Sequence, residues 1–177
     1  MTARILLSLS PETRDGLWRH LLPGPNPEEE AAFLYANWQE TGDAGTFECI
    51  EWTPLAPGRF LSRSKYHLEL TDAARASAIK KAHDLGACLV EFHSHTGPWP
   101  ARFSPSDLCG FREFVPHVWW RLKGRPYLAV VVSRTGFDGL AWTTDPSTPR
   151  RLEGLLAGGC LLRPTGLSPL NEDDDDK

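Results

Sequence analysis

The chain has 177 residues, long enough for one well-buried core and short for two. Its hydrophobic share of 41% and charged share of 24% are ordinary globular values, and seven Trp supply large apolar surfaces. The formal charge of −4 comes from the C-terminus, where residues 172–176 carry five negatives and Lys177 one positive, leaving residues 1–170 neutral; no basic block points to nucleic acid, and no run of about 18 apolar residues points to a membrane span.

Residues 4–9 read as a first strand, after which Ser10-Pro11-Glu12 opens a helix to about Leu21 with Leu17, Trp18, Leu21 and Leu22 on its apolar face. The run Pro23-Gly24-Pro25-Asn26-Pro27 ends it. Residues 30–36 and 46–52 are expected strands around the turn segment Gly42-Asp43-Ala44-Gly45, although Ala31-Ala32 leaves the first ambiguous by propensity. Residues 55–66 read as loop or edge structure, residues 67–70 as a short strand, and Thr71 caps a helix running to Leu85. Residues 87–93 form an apolar strand and residues 104–114 a helix. In residues 127–133 the succession Val130-Val131-Val132 implies a central strand buried on both faces. Gly136 and the pair Asp138-Gly139 fit turns around a short returning strand that ends at Trp142. Residues 146–166 carry Leu152, Leu155 and Leu156 at helical spacing and then lose all periodicity; no element is assigned to them.

Cys49, Cys88, Cys109 and Cys160 are far apart with no Cys-x-x-Cys pair, which excludes a zinc knuckle or a disulfide framework and leaves reduced core thiols as the simplest reading. Cys109, two residues beyond Asp107 on a helix, is expected to point away from it into the core. The N-terminal apolar stretch is too brief for a signal peptide, so a cytoplasmic location is expected. Asp173-Asp174-Asp175-Asp176-Lys177 matches an enteropeptidase recognition sequence, so residues 171–177 read as an expression remnant, or else a native acidic tail, outside a single domain of residues 1–170.

The chemistry concentrates in residues 91–107. His93 and His95 flank one serine, so in an extended segment both imidazoles point to the same side, about two residue rises of ~3.3 Å apart. Ser104-Pro105-Ser106-Asp107 is a helix start, with Ser104 at the N-cap, Pro105 at the first helical position and Asp107 at the third, beside the positive end of the helix dipole. Two imidazoles and one carboxylate make a three-ligand set for Zn2+ that keeps the fourth tetrahedral position for water, the mark of a catalytic rather than a structural zinc. His-x-His by itself is weak evidence; the four-residue constellation is specific.

At His93, His95, Ser104 and Asp107 the chain resembles the JAMM (JAB, MPN-plus) metallopeptidases, whose motif is His-x-His, a short loop and Ser-x-x-Asp. The loop from Thr96 to Phe103 has eight residues, one more than is usual in the family, and Thr96 replaces a common proline; neither change touches a ligand. The resemblance covers about residues 4–142. It implies a mixed α/β fold, the cytidine-deaminase-like JAB/MPN architecture of a curved β-sheet flanked by helices. It further implies that His93, His95 and Asp107 hold zinc and that Ser104 helps to hold the oxyanion. The family's catalytic glutamate lies upstream, before a small residue and an apolar run. Residues 27–34 are the segment of that kind and select Glu29, with Glu30 as runner-up and Glu48 or Glu51 as candidates by position only.

Family members commonly cleave after the C-terminal glycine of ubiquitin or a ubiquitin-like protein, whose extended tail is added as a strand beside the site. Residues 55–66 and 116–125 are where inserted substrate-binding segments would fall. Trp99, Arg102 and Phe103 are placed to contact the tail or, equally, to pack and hold the loop. Residues 103–108 and 121–127 look closest to bacterial members associated with E1-like, E2-like and ubiquitin-like partners in conjugation operons linked to phage defence. The implied function is a zinc-dependent isopeptidase that processes or deconjugates a ubiquitin-like protein, with no nucleic-acid or membrane partner. A peptidase acting on a sulfur-carrier protein or a small C-terminal adduct shares the same site, and a noncatalytic MPN scaffold would normally have lost its zinc ligands.

Overall fold

The computed structural model describes residues 3–25 and 27–170, so the acidic tail at 171–177 lies outside the described residues. The described residues form a mixed α/β domain around one nine-stranded sheet. In chain order the elements are β1 (Arg4–Leu9), α1 (Pro11–Leu21), β2 (Ala31–Thr41), β3 (Ala44–Pro54), β4 (Phe60–Arg63), β5 (Leu68–Leu70), α2 (Asp72–Leu85), β6 (Cys88–Ser94), α3 (Pro105–Arg121), β7 (Tyr127–Ser133), β8 (Gly136–Trp142), β9 (Arg150–Arg151), β10 (Gly154–Ala157) and β11 (Cys160–Leu162). The sheet runs β11-β10-β1-β3-β2-β6-β7-β8-β9, and β4 and β5 form a separate hairpin. β6 and β7 are parallel, with α3 as the crossover between them, whereas β2 lies antiparallel to both β3 and β6.

The alternation of side chains along each central strand divides the core in two. Ala31, Phe33 and Tyr35 of β2, Leu89 of β6 and Tyr127, Ala129 and Val131 of β7 pack under α2 and α3. Ala32, Leu34 and Ala36, Val90 and Phe92, and Leu128, Val130 and Val132 pack under α1, where Leu17 and Leu21 meet them. Helices therefore cover both faces, which is why β7 reads as a continuous apolar run.

Several sequence expectations are corrected. The turn between β2 and β3 narrows to residues 42–43, because Gly42 takes a left-handed φ of 57° and lets pairing continue to Thr41↔Ala44. Asp138 and Gly139 are not turn residues: they lie within β8, opposite Val131 and Val130. A Cβ on Gly139 would meet Leu152 at 2.8 Å, so this glycine is a point of close packing. Residues 146–166, to which the sequence assigns no element, hold β9 to β11; Leu152 and Leu155 are buried in the α1-side core, and β10 runs parallel to β1. A short apolar run fits a buried strand as well as a helix turn, and here sheet pairing decides. α3 continues past Phe114 to Arg121 with Pro116 inside it, so the expected inserted segment at 116–125 is largely helix. Pro116 is exposed while Val115 and Val118 are buried, so its ring lies on the outer face of the helix. The expectation of core thiols holds for Cys88, whose thiol burial pushes up to about 12, but Cys109 and Cys160 are exposed and Cys49 is half-buried.

Candidate metal centre

β6 carries the two histidines. His93 follows Leu89 and Glu91 on the α2/α3 side of the sheet, and His95, one residue past the strand end, is held in line by its N–H donating to the Val132 carbonyl at 2.9 Å. α3 supplies the third group. Ser104 is its N-cap with extended backbone, and the capping box is complete: the Ser104 hydroxyl accepts from the Asp107 N–H at 3.1 Å, and Asp107 Oδ2 accepts from the Ser104 N–H at 2.7 Å. The Ser104 hydroxyl also donates to Asp107 Oδ2 at 2.8 Å. Helix initiation thus aims the carboxylate at the end of β6.

The three donor groups converge. His93 Nε2 and His95 Nε2 are 3.2 Å apart, His93 Nε2 is 3.4 Å from Asp107 Oδ1, and His95 Nε2 is 3.2 Å from Asp107 Oδ2. Donors bound tetrahedrally at ~2.1 Å from a zinc ion are separated by about 3.4 Å, and these separations are of that order, with a different Asp107 oxygen facing each histidine. Nitrogen, nitrogen and carboxylate oxygen suit zinc in kind as well as in spacing. It is the one group of metal-ligating side chains with this convergence among the described residues. Electrostatics agree: burial opposes a charge on His93, but Asp107, Glu91 and Glu29 overcome it and push its imidazole up to about 9. Burial likewise acts against ionised Asp107, and the two histidines outweigh it, holding the carboxyl well below the usual carboxylate range. The cluster could hold a metal ion.

The candidate bases separate by register. Ala31 pairs with His93, and Ser94 N–H donates to the Glu30 carbonyl at 3.0 Å, so residues 29–30 run beside Ser94 and His95. Alternation places Glu29 on the histidine side, 5% exposed and lining the groove, where burial raises its carboxyl and His93 and His95 partly counter the rise. Glu30 faces α1, where its carboxylate pairs with Arg63 and lies 4.0 Å from His20 Nε2. Glu48 and Glu51 are on β3, with β2 between them and β6; Glu51 pairs with Lys81 at 2.8 Å. Neither of these two lines the groove.

The groove has a volume of about 1150 Å³ and runs from the metal centre between β5 and α2 on one side and α3 on the other. Trp99 stands at its mouth, 67% exposed, and covers Gly97, where a Cβ would sit 2.5 Å from the indole. Arg102 lines the groove too. Phe103 has no exposed surface: its ring centroid is 5.7 Å from that of His93 and 4.9 Å from that of Phe111, so of its two sequence roles the packing one is realised.

Sequence reasoning missed three supports. Glu91, half-buried beside His93 on the same side of β6, accepts a hydrogen bond from the Tyr127 hydroxyl; its signal was a lone carboxylate on an apolar strand in phase with His93. Ser168, also buried, accepts the Phe103 N–H at 3.0 Å, and Thr165 donates to the Ala101 carbonyl at 2.6 Å. Asp138 holds that C-terminal strap in turn, accepting from Gly166 N–H at 3.1 Å and Ser168 N–H at 2.8 Å. Arg63 grips the segment before β2. Ser168 and Arg63 carry no local sequence signal. No protein-family model matches the chain, and no curated protein matches its sequence.

Proposed function

We propose that this chain is a zinc-dependent peptidase of the JAB/MPN type that cleaves after the C-terminal glycine of a ubiquitin-like protein, releasing it from a precursor or from a conjugated amine. The observation that carries the reading is the convergence of His93, His95 and Asp107 to zinc-like spacing on the floor of a groove that also holds Glu29 and Ser104.

His93, His95 and Asp107 would hold the zinc, which when bound lowers the pKa of a water and polarises the scissile carbonyl. Glu29, raised by burial against the partly countering effect of His93, His95 and His67, takes the proton of the attacking water and returns it to the leaving amine. Ser104 sits where its hydroxyl can turn from Asp107 Oδ2 to the developing oxyanion, a contact worth about 3 kcal/mol when such a donor is removed. The groove between β5 and α3 accommodates an extended tail, and Trp99 and Arg102 at its edge contact it. In this reading the protein works in the cytoplasm beside E1-like and E2-like proteins of a phage-defence operon; no described helix is long and apolar enough to cross a membrane.

The test is incubation with a ubiquitin-like protein encoded beside this chain, extended past its terminal glycine, followed by mass spectrometry of the new C-terminus. A zinc-dependent cut after the glycine that Glu29→Gln abolishes supports the proposal. A cut elsewhere, or none, refutes it, and cleavage confined to a sulfur-carrier protein or small adduct moves the substrate class while keeping the site.

A further inference from the structure

Three consecutive glutamates, Glu28, Glu29 and Glu30, precede β2, and a slip of one residue would exchange which of them faces the metal centre. On one side the segment is fixed by Ser94, whose hydroxyl accepts the Glu30 N–H at 2.9 Å and whose N–H donates to the Glu30 carbonyl. On the other side the β4–β5 hairpin holds it. Arg63, at the end of β4, has a side chain only 18% exposed; its Nε lies 3.1 Å from Glu28 Oε2, its Nη1 pairs with Glu30, and its guanidinium carbon stands 4.7 Å from the centre of the Phe60 ring. The next carbonyl, that of Ser64, accepts the Glu29 N–H at 2.8 Å. The hairpin tip is tied to the ligand loop as well, through the Thr96 hydroxyl donating to the Lys65 carbonyl at 3.0 Å.

An extended chain alternates, so a cation that draws residues 28 and 30 to one side leaves residue 29 on the other. We propose that Arg63 is a positioning residue that selects Glu29 as the carboxylate presented to the metal centre, by binding both flanking glutamates away from it. This rests on the peptidase reading for its consequence in turnover but not for its geometry. Arginine suits the task because one planar cation serves two carboxylates while stacking on an aromatic ring.

The test compares Arg63→Ala and Arg63→Lys with the parent chain by peptide-level hydrogen exchange, zinc content and steady-state kinetics. In Arg63→Ala the peptide covering residues 28–31 should exchange at least about tenfold faster, the scale of a lost local restraint. With the ubiquitin-like precursor as substrate, kcat should fall about tenfold to a hundredfold, with KM and zinc content within about twofold. Arg63→Lys, which keeps charge without the fork, should recover part of both effects. In a Glu29→Gln background Arg63→Ala should lower the residual rate by less than about twofold, since its effect passes through Glu29. Unaltered exchange at residues 28–31, an unaltered kcat in a chain that turns over, or full multiplication with Glu29→Gln would overturn the proposal. If the parent chain cleaves no such precursor, the peptidase reading fails by itself, and the exchange result still decides whether Arg63 fixes this register.

Discussion

Both oxygens of Asp107 are committed at once: Oδ1 faces His93, while Oδ2 faces His95 and closes the capping box with Ser104. One residue therefore starts a helix and joins the two histidines in a group that could hold a metal ion, and this economy is why Ser-x-x-Asp after His-x-His was legible in the sequence. The protonation of His93 follows from the same contact. With its imidazole raised to about 9, chiefly by Asp107 against the opposing effect of burial, protonated His93 stabilises the metal-free fold. That contribution is complete below the ordinary histidine value near 6.5 and is lost as pH rises through about 9. Zinc needs the neutral ring, so binding releases this proton. Zinc affinity, measured by competition with a chelator, should rise about tenfold per pH unit from roughly 6.5 towards 9 and then level. In Asp107→Asn the slope should flatten and affinity fall steeply. A pH-independent affinity in the parent chain would remove His93 from the ligand set.

Register decides at the scale of elements what composition leaves open. The run of three glutamates offers no preference from its own residues, but Ala31↔His93 pairing and strand alternation put Glu29 beside the histidines and Glu30 under α1. Glu29→Gln should keep zinc and fold while lowering kcat at least about a hundredfold, the lower end of general-base effects; Glu30→Gln should act only mildly, through Arg63. Equal losses in both would return the choice to an open one. The C-terminal strap makes the opposite point. Nothing in residues 163–170 resembles an element, yet Ser168 satisfies the buried Phe103 N–H one residue before the α3 cap. Ser168→Ala leaves that donor unpaired at a cost of about 1–3 kcal/mol, and by loosening the residue that packs on His93 it should weaken zinc binding about tenfold. Calorimetry with and without zinc measures both. If zinc affinity is untouched while stability drops, the strap serves the core alone.

The elements of the whole molecule were largely readable where periodicity was strong: β1, α1, α2, β6 and β7 lie where alternation, caps and apolar runs place them. The returning strand expected to end at Trp142 is β8, but the sequence failed where tertiary pairing overrode local pattern, as at the turn expected at Asp138-Gly139, where Gly139 answers to Leu152, and in β9 to β11, which take their form from β8 and β1. The site divides the same way. His93 to Asp107 is local and legible, whereas Arg63, Glu91–Tyr127 and Ser168 reach it across the fold. Those nonlocal supports bear on the last prediction. Two extensive cores, one on each face of the sheet, contain no metal ligand among their buried apolar members, so folding does not wait on zinc as it does in a zinc finger. The metal-free chain should keep its far-UV circular dichroism and unfold cooperatively. Zinc at about 100 times its dissociation constant should add about 2.7 kcal/mol, a rise in Tm of roughly 5–10 °C for a chain of this size. Asp107→Asn should remove that rise without unfolding the metal-free chain, since the residue is tied to its own helix and to the two histidines rather than to either core. A parent chain that unfolds on chelation would instead make the ion a structural one and count against an open catalytic site at the end of the groove.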